Sequence, residues 1–330
     1  MNMTIVGAGA WGTAMAISLA GQHRVTLYAR NAEQIAAMQA TRVNQAYLPD
    51  IILPNALQLS ADLSDAVATA ELIILAVPLS ALRSTLKALP SLSDRAGVVW
   101  LCKGLEANSG LLPHQVVAEE LLERVPRAVL SGPSFALEVA KGLPTALTLA
   151  SSDVQFARNT AKILCAQYLR VYASTDVVGV EIGGAVKNVL AIAAGISDGM
   201  GLGLNARAAL MTRGLAEISR LGVALGGRAE TLMGLSGAGD LILTCTGDLS
   251  RNRQVGLLLT QELALPEIMA RLGHVAEGVY SVREVYQLAQ RLGVAMPICA
   301  AVYQIIYEHV PLKSVLLELL SRPVHGEFDQ

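Results

Sequence analysis

The chain has 330 residues, 53% of them apolar and 16% charged, and 25 Lys and Arg stand against 27 Asp and Glu for a formal net charge of −2. That balance predicts a well-buried globular protein of about two domains. With no basic run it excludes a general nucleic-acid binder, which needs a positive field to displace counterions.

In chain order, Met1-Asn2-Met3 runs directly into a β-branched stretch with no room for a basic leader region, so a cytoplasmic protein is expected. The first half alternates short apolar runs, Met3–Val6, Val25–Ala29, Leu72–Val77, Val98–Cys102, Ala128–Leu130 and Ala146–Leu149, with helical periodicities such as Thr13–Ala20 and Ala32–Gln39. That pattern predicts a mostly parallel, doubly wound sheet with helices on both faces. From about Asp176 the spacing becomes helical throughout, over Gly184–Ile196, Ala206–Leu221, Arg253–Gln261, Val282–Leu292 and Ala301–Tyr307. The expected architecture is therefore an α/β Rossmann-like domain over residues 1–175 and an all-helical domain over 176–330, with an active site in the cleft between them. The mean hydropathy is +0.47, but the most apolar stretch, Val178 to Leu204, carries Glu181, Lys187 and Asp198. No run of ~18 uncharged apolar residues exists, and no membrane insertion is expected. Cys102, Cys165, Cys245 and Cys299 are far apart in the chain, which gives neither a C-x-x-C pair nor a disulfide framework and predicts reduced thiols; no metal site is expected.

Gly7-Ala8-Gly9-Ala10-Trp11-Gly12 follows the first strand and opens the first helix, the context a dinucleotide fingerprint requires. Gly7 suits a tight turn, Gly9 lets backbone amides approach a pyrophosphate, and Gly12 suits close helix packing; a plain strand-to-helix turn is the alternative. An NAD site would usually carry Asp or Glu at the end of the second strand, about twenty residues on. This chain has Arg30. A guanidinium attracts a 2′-phosphate, which favours NADP(H) over NAD(H), although an arginine that merely stacks near the adenine fits the same position.

Two lysines fall where charge is unexpected: Lys103 at the end of a strand in Trp100-Leu101-Cys102-Lys103-Gly104, and Lys187 in the apolar helix of Gly183-Gly184-Ala185-Val186-Lys187-Asn188-Val189. Two ammonium groups around one site would depress each other's pKa and hold a proton ready for transfer. Downstream, Ser236-Gly237-Ala238-Gly239-Asp240 leads into Leu241–Thr246 and then Ser250-Arg251-Asn252-Arg253. Ser250 suits a helix cap, and the helix start beside Arg251 and Asn252 suits a phosphate-sized anion; solvated arginines at a plain cap are the alternative.

GAGAWGTA, CKGLE, SGPSFA, GGAVKNV, SGAGDLILTCT, SRNR and VAEG, in that order, resemble the bacterial glycerol-3-phosphate dehydrogenase [NAD(P)+] family over almost the whole chain. The resemblance implies reversible reduction of dihydroxyacetone phosphate to sn-glycerol 3-phosphate, supplying phospholipid synthesis. It implies that Lys187 is the catalytic proton donor and acceptor, that Lys103 contacts substrate and cofactor, and that Asp240 orients Lys187 with Asn188 and Thr244 beside it. Gly132 and Ser134 are implied as substrate contacts and Ala136 as a cofactor contact. Ser250, Arg251 and Asn252 are implied to hold the substrate phosphate, with Arg251 also reaching the cofactor. Ala10, Trp11, Arg30, Val275 and Glu277 are implied to line the dinucleotide site. The rivals are a Rossmann-and-helical dehydrogenase of a 3-hydroxy acid or keto acid, and a non-catalytic nicotinamide-binding redox sensor. The sensor would need neither the two lysines nor an anion site. A helical domain this apolar is also compatible with a homodimer.

Overall fold

The computed structural model describes residues 1–90, 92, 96–272 and 277–322. It divides into two units, Met1–Lys103 with Leu111–Val180, and Gly104–Gly110 with Glu181–Gln330.

The first unit is built on β1 (Asn2–Val6), β2 (Arg24–Tyr28), β3 (Val43–Asn44), β4 (Leu48–Ile52), β5 (Gln58–Ser60), β6 (Leu72–Leu75), β7 (Gly97–Trp100), β8 (Arg127–Ser131), β9 (Thr145–Ala150) and β10 (Leu169–Ser174). Eight of them form one sheet in the order β10-β9-β8-β7-β6-β1-β2-β5, while β3 and β4 pair as a separate antiparallel hairpin. Every neighbouring pair of the large sheet is parallel except β8 with β9. All six strands read from the sequence are present; β5, β10 and the hairpin are additional. Alternate residues feed two cores: Met3, Ile5, Leu27, Ile74 and Val99 pack on one face, and Val6, Ile73, Leu75, Val98 and Trp100 on the other. A parallel sheet covered on both faces demands such continuous apolar strands. β1 lies between β2 and β6, so the chain changes direction across the sheet there. In open α/β sheets ligands bind outside the carboxyl ends of strands at such a switch point.

The second unit is helical. Its principal helices are Val177–Gly199, whose first turn lies in the first unit, Gly203–Ala224, Asp240–Thr246, Arg251–Leu259, Glu277–Leu292 and Pro297–Tyr307. Val177–Gly199 is long and apolar enough to cross a membrane by length and composition, yet 89% of its most apolar window is buried in the molecule. It is the core helix of this unit, with Ala185, Val186, Val189, Leu190 and Ile192 all fully buried.

Helix Pro297–Tyr307 has no cap from its own N-cap residue, Met296. Glu217, 1% exposed on helix Gly203–Ala224, caps it instead, accepting from the Ile298 and Cys299 amides at 2.6 and 3.1 Å. Burial pushes the Glu217 carboxyl above its ordinary value, against the lowering effect of those two amides and of Arg220. A carboxyl raised in the folded state contributes stability that is fully present below its unfolded pKa and is lost as pH rises through the folded one. Glu217→Gln should therefore narrow any deficit in Tm against the wild type between about pH 4 and pH 8, whereas a pH-independent difference would show that Glu217 does not titrate with folding. Glu217→Ala, which leaves two buried amides without an acceptor, should cost about 1–3 kcal/mol for each in urea denaturation.

Candidate active site

In the first unit the Gly7–Gly12 turn joins β1 to helix Ala10–Leu19. Gly7 has φ +115°, and a Cβ there would lie 2.5 Å from the Ala76 carbonyl oxygen. A Cβ on Gly12 would overlap the Gly7 carbonyl, so this glycine lets the helix start directly on the turn. Gly9, by contrast, has nothing within 4 Å of its Cβ position. It is also the N-cap and offers no side-chain cap, so the first amides of the helix, at Ala10 and Trp11, are available to an anion. Two residues the sequence did not single out brace this turn. Asn44, fully buried, donates to the Ala8 carbonyl at 2.9 Å and to the Thr13 hydroxyl at 2.8 Å, and Gln34 donates to the same carbonyl at 3.1 Å. Trp11 packs half-buried against two of the hydrophobic clusters. Arg30 is exposed just beyond the end of β2, immediately before Asn31, which caps the following helix through the Glu33 and Gln34 amides. The turn thus fits a dinucleotide pyrophosphate on backbone grounds, with the exposed Arg30 guanidinium at the next strand end.

At the carboxyl ends of β7 and β8 the same unit gathers Lys103, Gly132 and Ser134. The Lys103 ammonium donates to the Gly132 carbonyl at 3.3 Å and the Ser134 hydroxyl to the same oxygen at 3.0 Å. Gly132 has φ +138°, and Ala136 opens the short helix Ala136–Ala140.

In the second unit the buried Lys187 ammonium is held by the Asp240 carboxylate and by the Thr244 hydroxyl at 3.0 Å. Thr244 donates in turn to the Asp240 carbonyl at 2.6 Å. Asp240 is 1% exposed, so the charge of Lys187 is compensated by a neighbour rather than by water. Local backbone explains how the partner arrives. Leu235–Gly239 forms a π-type turn, closed by the Gly239 amide on the Gly234 carbonyl at 3.0 Å, and Asp240 follows it as the first residue of helix Asp240–Thr246. A Cβ on Gly183 would overlap the Ser236 carbonyl. The glycines of GGAVKNV and SGAGD therefore let two backbones touch, which brings lysine and aspartate together.

Beside this pair, Asn252 donates to the Asn188 side-chain oxygen at 3.0 Å and accepts from the Gly278 amide at 3.0 Å. This commits most of the Asn252 amide to bracing three helices, with one N–H unengaged among the described residues. Ser250 caps its helix by accepting from the Arg253 amide at 3.3 Å, and Arg251 is exposed. Glu277 begins helix Glu277–Leu292, half-buried, while Val275 lies outside the described residues. Buried close by, the Cys245 thiol is pushed up to about 12, chiefly by burial.

The two halves of the chain match the models of the NAD-dependent glycerol-3-phosphate dehydrogenase N-terminus, over residues 2–157, and C-terminus, over residues 176–317. The chain belongs to the NAD-dependent glycerol-3-phosphate dehydrogenase family. It is 56% identical to a glycerol-3-phosphate dehydrogenase [NAD(P)+] of Nitrosomonas eutropha over 100% of both chains. It is 57% identical to one of Thiobacillus denitrificans over 99% of this chain and 100% of that one. The crystal structure of glycerol-3-phosphate dehydrogenase from Coxiella burnetii is similar with a TM-score of 0.92 and 44% identity, covering 97% of this chain and 99% of that one.

Asp240→Asn should show what the pair contributes. Removing one partner of a buried ion pair leaves the other charge uncompensated, so stability should fall by about 3–5 kcal/mol in guanidinium denaturation. A loss under about 1 kcal/mol would mean that Lys187 is compensated by something else.

Proposed function

We propose that Lys187 is the general acid and base of the reversible, NAD(P)H-dependent reduction of dihydroxyacetone phosphate to sn-glycerol 3-phosphate, the activity of the family to which the chain belongs. The observation that carries this role is the buried ammonium held between Asp240 and Thr244. Residues 1–175 are assigned to dinucleotide binding and residues 176–330 to substrate binding and catalysis.

Gly7, Gly9, Ala10, Trp11 and Gly12 would hold the dinucleotide pyrophosphate on helix-terminal amides, with Arg30 on a 2′-phosphate and Lys103, Ala136, Arg251, Val275 and Glu277 lining the remainder. NADPH is the favoured form. The bound reduced nicotinamide supplies the hydride added to C2 of the substrate. The work of this chain is to manage the charge that then develops on the carbonyl oxygen. Lys187 donates its proton there, and Lys103 stabilises the oxygen before that transfer is complete. Asp240 compensates the charge of the Lys187 ammonium before transfer, and Thr244 fixes the direction of the N–H bonds. Asn188, Gly132 and Ser134 complete the polar shell around the substrate. Ser250, Arg251 and the remaining N–H of Asn252 hold the phosphate, so binding energy from a group that does not react positions C2. No step calls for a metal.

The product is the glycerol backbone of phospholipids, and supply of phospholipid synthesis is the role that follows. A cytoplasmic location and a homodimer complete the reading, supported by the family and by the apolar helical half. A 3-hydroxy-acid or keto-acid substrate would present a carboxylate and leave the phosphate clamp unused.

With dihydroxyacetone phosphate and reduced nicotinamide, followed by absorbance, Lys187→Ala should lower kcat by ~10²–10⁴-fold. Near-normal turnover would remove the assignment. Arg251→Ala should act chiefly by raising the KM for dihydroxyacetone phosphate. In parallel assays Arg30→Ala should lower kcat/KM with NADPH more than with NADH; an equal loss with both would leave Arg30 without a 2′-phosphate role.

A further inference from the structure

The first turn of helix Arg251–Leu259 carries two arginines, and they have been put to different uses. Residues two apart on a helix do not share a face. Arg251 is exposed and makes no ion pair with the described residues. Arg253 is drawn inward, its side chain 12% exposed, and all of its nitrogens are engaged. Nε donates to Asp198 Oδ2 at 2.9 Å, Nη2 stands 2.8 Å from the same oxygen as an ion pair, and Nη1 donates to Asp248 Oδ1 at 3.0 Å. The same Asp198 oxygen accepts from Arg207 at 3.0 Å. Asp198 itself is 13% exposed and lies in the last turn of helix Val177–Gly199, the helix that carries Lys187 and Asn188.

Between these points the two helices meet backbone to backbone. A Cβ on Gly195 would overlap the Arg253 carbonyl, and one on Gly256 would overlap the Ile192 carbonyl. The crossing is tied on both sides, by Asn188 with Asn252 and by Asp198 with Arg253. Such a contact leaves no side chains to cushion a slide, so the two ties set the register of one helix on the other. That register fixes how far the Ser250–Asn252 turn stands from the Lys187 ammonium.

We propose that Asp198 is the positioning residue of the phosphate clamp: by holding Arg253 against the catalytic helix it sets the Ser250–Asn252 turn in register with Lys187 and leaves Arg251 alone to meet the phosphate. The proposal rests on the assignment of Ser250–Asn252 to the substrate phosphate. Asp198 touches no reacting atom in this account. Its effect is confined to substrates that carry the group the clamp holds.

The experiment compares kcat/KM for dihydroxyacetone phosphate and for unphosphorylated dihydroxyacetone, with NADPH, in the wild type, Asp198→Asn, Arg253→Lys, the double variant and Arg251→Ala. Misplacing a bound group by ~1 Å costs up to ~10²-fold, so Asp198→Asn should lower the preference for the phosphorylated ketone by at least about tenfold while the rate with dihydroxyacetone stays within about twofold. Arg253→Lys keeps the charge but loses the Nε hydrogen bond to Asp198, and should do the same; if Asp198→Asn fails to fold, this variant carries the test. The double variant should be no worse than the poorer single one, because both act through one contact. An equal loss with both ketones would make Asp198 a general stabiliser and overturn the proposal. So would an unchanged preference in Asp198→Asn or Arg253→Lys when Arg251→Ala lowers it. If Arg251→Ala also leaves the preference unchanged, the assignment of the phosphate to this turn is what has failed, and the proposal falls with it.

Discussion

A lysine charge buried in an apolar helix is the constraint around which the helical unit is organised. Helix Val177–Gly199 has almost no exposed surface, so Lys187 cannot lead its ammonium out to water along the usual aliphatic stem. The compensating carboxylate has to come from a different helix, and a helix normally keeps its neighbours 8–10 Å away, axis to axis. Gly183 removes the intervening atoms, the π-type turn lifts the chain into a new helix at the required point, and Asp240 is its first residue. Proton donor, counter-charge and backbone irregularity are thus parts of one solution.

The same helix uses small residues again at Gly195, where it meets Gly256. The Gly183 and Gly195 contacts serve different ends. One brings a charge in, and the other lets a second helix lie close enough to be tied by the side chains of Asn252 and Arg253. In the α/β unit the equivalent economy appears at the glycine turn, where Gly12 sits on the Gly7 carbonyl while Asn44 and Gln34 hold Ala8 from outside. In each case a glycine supplies proximity, and polar side chains from remote segments supply rigidity.

That division explains what was legible in the sequence. Six strands could be read because each is a short run of apolar residues broken at most by one threonine, close to what a sheet covered on both faces requires. β5 is only three residues long, β4 contains Pro49 and Asp50, and β10 alternates buried with exposed residues as an edge strand does; none gives a strong apolar signal. Helix Ala229–Leu232 is only four residues long and gives no full helical period to read. Around the candidate site the glycines and the out-of-place lysines stood out because each violates a local rule. Asn44, Glu217 and the Asp198–Arg253 pair violate none. Their roles exist only through partners far along the chain, and a single sequence does not bring those partners together.

The helical unit also includes Gly104–Gly110, a segment that leaves the α/β unit after Lys103 and returns to it at Leu111. There a Cβ on Gly110 would stand 2.7 Å from the Arg291 guanidinium of helix Glu277–Leu292. As the chain leaves the ribosome, this segment emerges long before its partner helix exists. Domains generally fold amino-terminal first during synthesis, so the α/β unit can build its sheet while one of its own loops waits for the last third of the protein. A fragment beginning at residue 176 would lack that segment, so the helical unit is not contained in one continuous stretch of chain.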